Sequence, residues 1–194
     1  MPNIIIFSEM IYKTNLSFYK SKNKFFYEKV IELEKTVNPV TDWRCDTYNT
    51  LDSYSLKNDT LFVDLIERIT KEVVGFSKSF GVTSENINCS DAWLNLAHPN
   101  SYQEYHTHPN NHFSAVYYVK TPKNSGNIVF RSAESYTDMY PLPSKSFEIP
   151  NCKSYWVSPV ECDLIIFRSN LSHMVEQNKS SDDRVSIALN FNFY

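Results

Sequence analysis

Apolar side chains recur at helical spacing in two segments of the first half of the chain. In residues 23–37 the apolar side comprises Phe26, Val30, Leu33 and Val37. Residues 57–81 repeat the pattern more strongly, through Leu61, Leu65, Ile69, Val73 and Phe76. This spacing predicts two amphipathic helices, each covering one face of a sheet. Asp59 or Thr60 is the expected N-cap of the second helix, and Gly81 its expected stop.

From about residue 90 the hydrophobic period changes to two. Short apolar segments are separated there by Pro, Asn, Ser and Gly, at 91–98, 101–108, 113–121, 126–132, 153–159, 163–169 and 184–194. The opening run MPNIIIFSEMIYK predicts one further strand. Seven or eight short strands without intervening helices are typical of a sandwich or a jelly-roll barrel. The chain is therefore predicted to be α+β, mainly β, with the helices first and the β-structure second.

The last segment separates its side chains most clearly. One face carries only large apolar residues, namely Val185, Ile187, Leu189, Phe191 and Phe193. The other face is small and polar, with Arg184, Ser186, Ala188, Asn190 and Asn192. The apolar face suits contact with the helices. The polar face suits either a wet barrel interior or a solvent-facing edge, and the pattern leaves both open.

Length and composition narrow the classes of protein. A chain of 194 residues suits one domain, 1–194, with an N-terminal strand and supporting helices in 1–89 and a β-core in 90–194. It has only three glycines and no phosphate-binding glycine motif. A net charge of -3 gives no reason to expect a nucleic-acid partner.

Neither a membrane nor an export route is indicated by the sequence. No apolar stretch is long enough to cross a bilayer, and the N-terminus has no basic region before its apolar run. The cysteines are scattered without a CxxC pair, at Cys45, Cys89, Cys152 and Cys162. Free thiols in a reducing cytoplasm are therefore expected.

Three of the five histidines lie within seven residues, at His106, His108 and His112. Residues i and i+2 of a strand project to the same side, so His106 and His108 can share one metal ion. His112 follows Pro109 and is expected in the turn after the strand. His173 lies about 67 residues beyond His106, and strands that distant can be neighbours in a jelly roll. Ordinary surface or core histidines are the alternative.

Over about residues 90–194 the chain resembles the Fe(II)- and 2-oxoglutarate-dependent oxygenases. The resemblance is carried by HTHPNNHFSAVYYVKTPKNSGNIVF, by LIIFRSNLSHMVEQN and by DDRVSIALNFNF. These segments contain HxH, a distant histidine and the final Arg184-x-Ser186. They are similar to a branch of these oxygenases with many bacteriophage and marine microbial members, distantly like prolyl 4-hydroxylases. The N-terminal IIIFSEMIYKTNL is weakly similar to the strand that opens those proteins.

This resemblance implies a double-stranded β-helix (jelly roll, cupin-like) with the two N-terminal helices packed on its outer face. It implies that His106 and His173 bind Fe(II), and that Arg184 pairs with the distal carboxylate of 2-oxoglutarate. Ser186 would hydrogen-bond the same carboxylate, and Asn95 and Tyr118 would contact the co-substrate. O2 is the second co-substrate, and ascorbate is a further reductant that the resemblance suggests.

His108 departs from the usual family pattern, which is HxD or HxE. An imidazole stands here where those enzymes have a carboxylate. We expect His108 to be the third ligand, so that His106, His108 and His173 form the catalytic metal group. Asn110 is the other candidate, although it lies past Pro109 and is expected in the turn.

The function expected from this resemblance is a dioxygenase, specifically a hydroxylase of a small molecule or a peptidyl residue. Its location would be the cytoplasm of a bacterium or of a phage-infected host, and a homo-oligomer is left open. The alternatives are a three-histidine cupin-like metalloprotein that does not use 2-oxoglutarate, and a non-enzymatic jelly-roll binding protein. Trp93 and Trp156 are expected in the core, whereas Tyr117, Arg131 and Arg168 are weaker candidates for the site.

Overall fold

Two antiparallel sheets and two helices make up the fold. The structure, a computed structural model, describes residues 8–38, 46–133, 143 and 152–194. The helices are α1 (Lys20–Thr36) and α2 (Val63–Ser77). The strands are β1 (Ile11–Asn15), β2 (Tyr48–Asn49), β3 (Ile87–Ala97), β4 (Gln103–His106), β5 (Phe113–Lys120), β6 (Ile128–Arg131), β7 (Ser154–Val157), β8 (Asp163–Arg168), β9 (His173–Val175) and β10 (Arg184–Phe193). The start of the predicted opening strand, residues 1–7, lies outside the described residues.

The larger sheet has the strand order β1-β8-β5-β10-β3-β2, and the smaller has β4-β9-β6-β7. Every pairing within the described residues is antiparallel. Side chains from both sheets line one shared cavity, so the sheets face each other. This mainly antiparallel α+β architecture is the one expected of a jelly roll.

The main hydrophobic core joins helix side chains to the larger sheet. Its buried members include Phe26, Val30 and Leu33 of α1 and Leu65, Ile69 and Val73 of α2, together with Val185, Ile187, Leu189 and Phe191 of β10. A smaller apolar cluster lies on the side of the sheet that faces the cavity, and contains Tyr118, Ile128, Phe130, Ile165, Phe167 and Leu171. The larger sheet is therefore covered on both faces.

Strand β10 lies between β3 and β5, in the middle of the larger sheet. Its apolar face belongs to the main core. Its other face contributes Arg184, Ser186 and Ala188 to the lining of the cavity between the sheets. Of the two alternatives for this face, the barrel interior is therefore the one observed.

The start of α2 differs from its prediction. The residue before the helix is Phe62, and no side chain caps the helix there. Asp59 instead holds a preceding turn, because its carboxylate accepts hydrogen bonds from the Leu61 backbone N–H (2.9 Å) and the Tyr54 hydroxyl (2.7 Å). The prediction of Asp59 or Thr60 as the N-cap is thus wrong. At the other end, Gly81 follows a short 3-10 turn in the left-handed region (φ 76°), as expected of a stop.

Three further details were not predicted. The short strands β2 and β9 carry too few residues to show a period of two, and β4 ends at His106 rather than continuing to His108. Trp156 was expected in the core but is 56% exposed on β7, whereas Trp93 is buried.

Cys89, Cys152 and Cys162 are free thiols, and Cys45 lies outside the described residues. Neither described helix has the length and apolar character needed to span a membrane.

Candidate metal centre

Pairing of β4 with β9 brings two distant histidines together. In this antiparallel pair His106 lies directly opposite His173, and their ring centroids are 4.2 Å apart. The pairing shifts register between Gln103 and His106, so β4 is irregular just before the histidine. The contact depends on strand pairing across the smaller sheet and not on sequence proximity.

His108 joins the pair from just beyond the end of β4. Its backbone N–H donates to the Ser169 carbonyl oxygen at 2.9 Å, which ties this segment to the turn before β9. Its ring packs beside Trp93, at 5.6 Å between centroids, and beside Phe167 at 6.4 Å. The backbone bond to Ser169 and the packing on Trp93 therefore place this imidazole beside that of His106, although His108 lies outside the strand.

The three imidazoles are arranged as a set of metal ligands. One nitrogen from each of His106, His108 and His173 lies within 4.8 Å of the others. Nε2 of His108 and Nε2 of His173 are 3.3 Å apart. Nδ1 of His106 is 2.8 Å from the Glu104 carbonyl oxygen, and Nδ1 of His173 is 2.9 Å from that of Leu171. A proton on each of these Nδ1 atoms leaves Nε2 unprotonated for a metal.

Burial favours the neutral form that metal binding requires. It lowers the pKa of His106 below its usual value. Burial and the nearby His106 lower the pKa of His108 to about 3. Burial, with His106 and His108 as neighbours, lowers the pKa of His173 well below its usual value. Three converging neutral imidazoles are donors that fit Fe(II), and in the described part of the chain no carboxylate joins the group.

A buried guanidinium lines the same cavity. Arg184 is 4% exposed, and its Nη1 donates to the carbonyl oxygens of Ser125 (2.6 Å) and Glu176 (3.4 Å). In the described residues it forms no salt bridge with a carboxylate. Burial lowers its pKa, as expected for a cation that has lost water without gaining an anion. A buried charge is costly unless it is paired.

A row of polar side chains crosses the three central strands near Arg184. Ser186 of β10 lies opposite Asn95 of β3 on one side and Tyr118 of β5 on the other. All three line the cavity, together with Arg184 and the three histidines. The seven site residues expected from the sequence thus lie around one cavity. Asn95 Oδ1 accepts a hydrogen bond from Trp93 Nε1 at 3.2 Å.

Several weaker candidates lie outside the cavity. Asn110 is in the turn after Pro109 with a positive φ of 64°. His112 Nδ1 accepts a hydrogen bond from the Phe193 backbone N–H at 3.1 Å. Tyr117 points to the opposite face of β5 and donates to Asn23 Oδ1 at 2.8 Å. The guanidinium of Arg168 lies over the Phe80 and Phe113 rings, and that of Arg131 over the Tyr105 ring.

A family model described as "Putative 2OG-Fe(II) oxygenase" matches residues 91–190, about half of the chain. The chain belongs to the 2OG-Fe(II) oxygenase family. Its cofactor is accordingly Fe(II) and its co-substrates are 2-oxoglutarate and O2. Membership favours this chemistry over a cupin-like protein without 2-oxoglutarate. No curated protein matches the sequence.

Solved structures of other 2OG oxygenases share the fold. A Pseudomonas putida prolyl-4-hydroxylase is similar with a TM-score of 0.68 and 12% identity, over 96% of this chain and 94% of that chain. The viral collagen prolyl hydroxylase of Paramecium bursaria Chlorella virus-1, a 2OG complex, gives 0.62 and 12%, over 95% and 96%. HygX from Streptomyces hygroscopicus, with nickel and 2-oxoglutarate bound, gives 0.63 and 9%, over 95% and 83%.

Sequence reasoning missed part of the cavity of this oxygenase. Trp93 was expected only as core, yet it both packs against His108 and lines the cavity. Thr47 and Gln103 also line it. Trp93 and Asn95 occupy alternate positions of β3, so the period of two could have placed Trp93 on the same face as Asn95. Nothing in the sequence marks Thr47, which reaches the cavity from a segment next to the edge strand β2.

Proposed function

We propose that this oxygenase is a hydroxylase. In the overall reaction, 2-oxoglutarate, O2 and a substrate C–H group give succinate, CO2 and an alcohol. One oxygen atom of O2 enters succinate and the other enters the substrate. The iron supplies the activation of O2, and the protein side chains bind, orient and exclude water. The observation that carries the use of 2-oxoglutarate is a buried guanidinium with no anionic partner among the described residues, in the same cavity as three neutral imidazoles. Similarity to two prolyl hydroxylases supports hydroxylation as the reaction.

His106, His108 and His173 hold the iron in this proposal. One ring nitrogen of each converges on the same place, and the carbonyl partners at Nδ1 fix the ring orientation of His106 and His173. Three neutral ligands give a site without charge of its own, so Fe(II) with dianionic 2-oxoglutarate is neutral overall. A site with two histidines and a carboxylate would instead carry one negative charge. The imidazole of His108 is therefore what makes the charge of this centre differ from that of a site with two histidines and a carboxylate.

Arg184 binds the distal carboxylate of 2-oxoglutarate, and Ser186 donates a hydrogen bond to it. A planar guanidinium matches a carboxylate through two parallel hydrogen bonds, which a lysine cannot provide. Asn95 and Tyr118 line the wall on either side of Ser186 and contact the bound co-substrate. Tyr118 is 2% exposed, and burial raises its pKa, so its hydroxyl stays protonated and available as a donor.

The core contacts between the two helices and the larger sheet indicate how the domain supports the site. We place residues 1–194 in one oxygenase domain, in which 90–194 form a double-stranded β-helix and the two N-terminal helices brace its outer face. The shared core of α1, α2 and β10 supports this arrangement, because the apolar face of β10 is covered only if the helices stay in place. Its substrate is a small molecule or a peptidyl residue.

The test is to remove the guanidinium and measure the two binding steps separately. For Arg184→Ala we expect near-normal Fe(II) content but a loss of 2-oxoglutarate affinity on the order of 2–5 kcal/mol, or roughly 30-fold or more. Anaerobic titration of 2-oxoglutarate gives the affinity, and succinate formation gives the turnover. Arg168→Ala is the matched control, because that guanidinium stacks on Phe80 and Phe113 away from the cavity. Unchanged 2-oxoglutarate binding in Arg184→Ala would refute the role of Arg184, and oxidation of the substrate to a product other than an alcohol would refute the hydroxylase proposal.

A further inference from the structure

A second cavity lies at the end of β3 remote from Arg184. Its volume is about 300 Å³, at the lower end of the range for small-molecule sites. It is formed by the segment 51–57, which follows β2, and by Ser90, Asp91 and Ala92 of β3. Hydroxyl, carboxylate and ammonium groups dominate this lining, so the cavity suits a polar ligand.

Asp91 lines the second cavity and lies on the same face of β3 as Trp93, which lines the metal cavity. Its carboxylate is 3.4 Å from Nδ2 of Asn190, a residue of the same β10 face that contributes Ala188 to the metal cavity. Asp91 opposes Asn190, and Trp93 opposes Ala188, so Asp91 is the next inward position along β3 after Trp93. Two residues of a strand span roughly 7 Å. The Trp93 ring in turn packs against His108.

The Asp91 carboxylate lacks a cationic partner within the described residues. It forms no salt bridge there, and the Asn190 amide is a long contact. Lys57 lines the same cavity, but its ammonium donates to the backbone carbonyl oxygens of Cys89 (3.2 Å) and Ser90. A partly buried carboxylate is stabilised when a cation approaches it. The ligand expected in this cavity therefore carries a positive charge.

An organic cation fits this place better than a metal ion. In the parts of the chain that the structure describes, the only group of three or more histidine, cysteine or acidic side chains able to hold a metal is the histidine group. Asp52 also lines the second cavity but is exposed and lies in the left-handed region (φ 62°). Asp91 is thus a single carboxylate, which suits one cationic group of an organic ligand better than a metal ion.

We propose that the second cavity is a substrate subsite, in which Asp91 binds an amine or guanidinium group of the substrate. The rest of the substrate then passes over Trp93 toward the histidine group, where the oxidised carbon lies several bonds from the cation. This proposal rests on the proposed function, because it assigns the substrate of that same reaction. The substrate class is a basic compound or a peptide with a basic side chain.

The test uses two pairs of small compounds that differ in charge but little in shape. They are n-butylguanidinium with butylurea, and n-pentylamine with pentan-1-ol, each titrated calorimetrically into the anaerobic Fe(II)-loaded protein with 2-oxoglutarate. We expect each cation to bind at least tenfold more tightly than its neutral counterpart. Asp91→Asn should abolish this preference, and Asp91→Glu, which keeps the charge, should retain it.

Asp52→Asn is the matched control, because it removes the same charge from the same cavity, and asparagine tolerates the left-handed backbone at that position. The preference should survive this change. The proposal is overturned if the wild type shows no tenfold preference, if Asp91→Asn keeps it, or if Asp52→Asn loses it equally. Failure of the proposed function looks different, because the substrate would then be oxidised to a product other than an alcohol, whatever the preference of the cavity for cations.

Discussion

Individual ring nitrogens determine what the histidine group can do. In His106 and His173, the Nδ1 atom faces the carbonyl oxygen of the residue two positions earlier, at Glu104 and Leu171 respectively. This repeated local contact places the Nδ1 proton and leaves Nε2 for the metal. Within the described residues His108 has no such carbonyl partner at Nδ1, and its direction comes from its backbone bond to Ser169 and from packing on Trp93.

Single alanine variants at the four clustered positions test the ligand set. We expect His106→Ala, His108→Ala and His173→Ala each to lose tight Fe(II) or Co(II) binding in a metal titration. The His112→Ala variant should bind metal almost normally, because Nδ1 of His112 accepts a hydrogen bond from the Phe193 backbone N–H at the surface and takes no part in the metal group. Full metal affinity and activity in His108→Ala would leave a two-histidine site and remove the third ligand.

Acid should destabilise the metal-free protein. An unfolded histidine has a pKa of about 6.5, whereas burial lowers the folded pKa of each ligand, to about 3 for His108. The contribution of these histidines to the free energy of unfolding is therefore fully present above pH 6.5. It falls as the pH drops toward the folded pKa, because the unfolded chain binds more protons there. Urea unfolding in EDTA at pH 7.5, 6 and 5 measures this. His108→Asn should show a shallower pH dependence, and an identical slope would argue against burial of a neutral imidazole.

At the scale of elements, the β5–β6 connection controls the position of Arg184. Gly126 has a φ of 91° and packs so closely on the end of β9 that an added Cβ would lie 2.4 Å from the Glu176 carbonyl oxygen. That oxygen and the Ser125 carbonyl oxygen both accept from Arg184. The Glu176 carboxylate fastens the two segments, accepting from the Asn127 backbone N–H (3.1 Å) and side-chain amide (2.8 Å).

Gly126→Ala should therefore weaken 2-oxoglutarate binding without touching a metal ligand. The methyl group must displace the carbonyl oxygen that helps hold Arg184, and the positive φ adds strain of about 1–3 kcal/mol. Urea unfolding and 2-oxoglutarate titration measure the two effects. Gly75→Ala is the control, because an added Cβ meets nothing within 4 Å and helix propensity should raise stability by about 0.5–1 kcal/mol. Equal 2-oxoglutarate affinity in both variants would contradict the role of this connection.

At the scale of the whole molecule, His98 ties the helical layer to the sheet near the cavity. It follows β3, and its Nε2 is 2.6 Å from the Glu34 carboxylate of α1, while its Nδ1 is 2.8 Å from the Asp183 carboxylate before β10. Desolvation opposes its charge, but the hydrogen bonds to Glu34 and Asp183 outweigh this and raise its pKa. The charged form of this partly exposed histidine thus bridges two elements that are far apart in sequence.

This bridge should stabilise the protein at mildly acidic pH, opposite in sign to the metal ligands. A raised folded pKa means that the contribution is fully present below the unfolded value of about 6.5 and is lost as the pH rises through the folded pKa. His98→Gln should therefore be less stable than wild type by up to about 1 kcal/mol at pH 5.5, a small value because water screens the pair. Urea unfolding should show that this difference in the free energy of unfolding between wild type and variant narrows by pH 8.5. A difference that stays constant with pH would show that the charge of His98 is not responsible.

Much of the fold was predictable from local patterns. A period of two identified β10 and separated its core face from its cavity face, because alternation along a strand depends only on the strand itself. The helical spacing located α1 and α2 for the same reason. Patterns of two or three residues carry no period, so β2 and β9 were missed. The N-cap of α2 was misassigned because Asp59 instead holds a turn that the sequence does not distinguish from a cap.

For the site, the sequence by itself determined the chemical types: imidazoles at 106, 108 and 173, a guanidinium at 184 and their spacing within short segments. The roles came from resemblance to a family. Only the tertiary structure decided that His106 lies opposite His173, that Arg184 is buried with no carboxylate partner among the described residues, and that Trp93 and Asp91 continue the same inward face. These facts depend on strand pairing between segments tens of residues apart, where register and burial are set by packing of the whole sheet rather than by any local pattern.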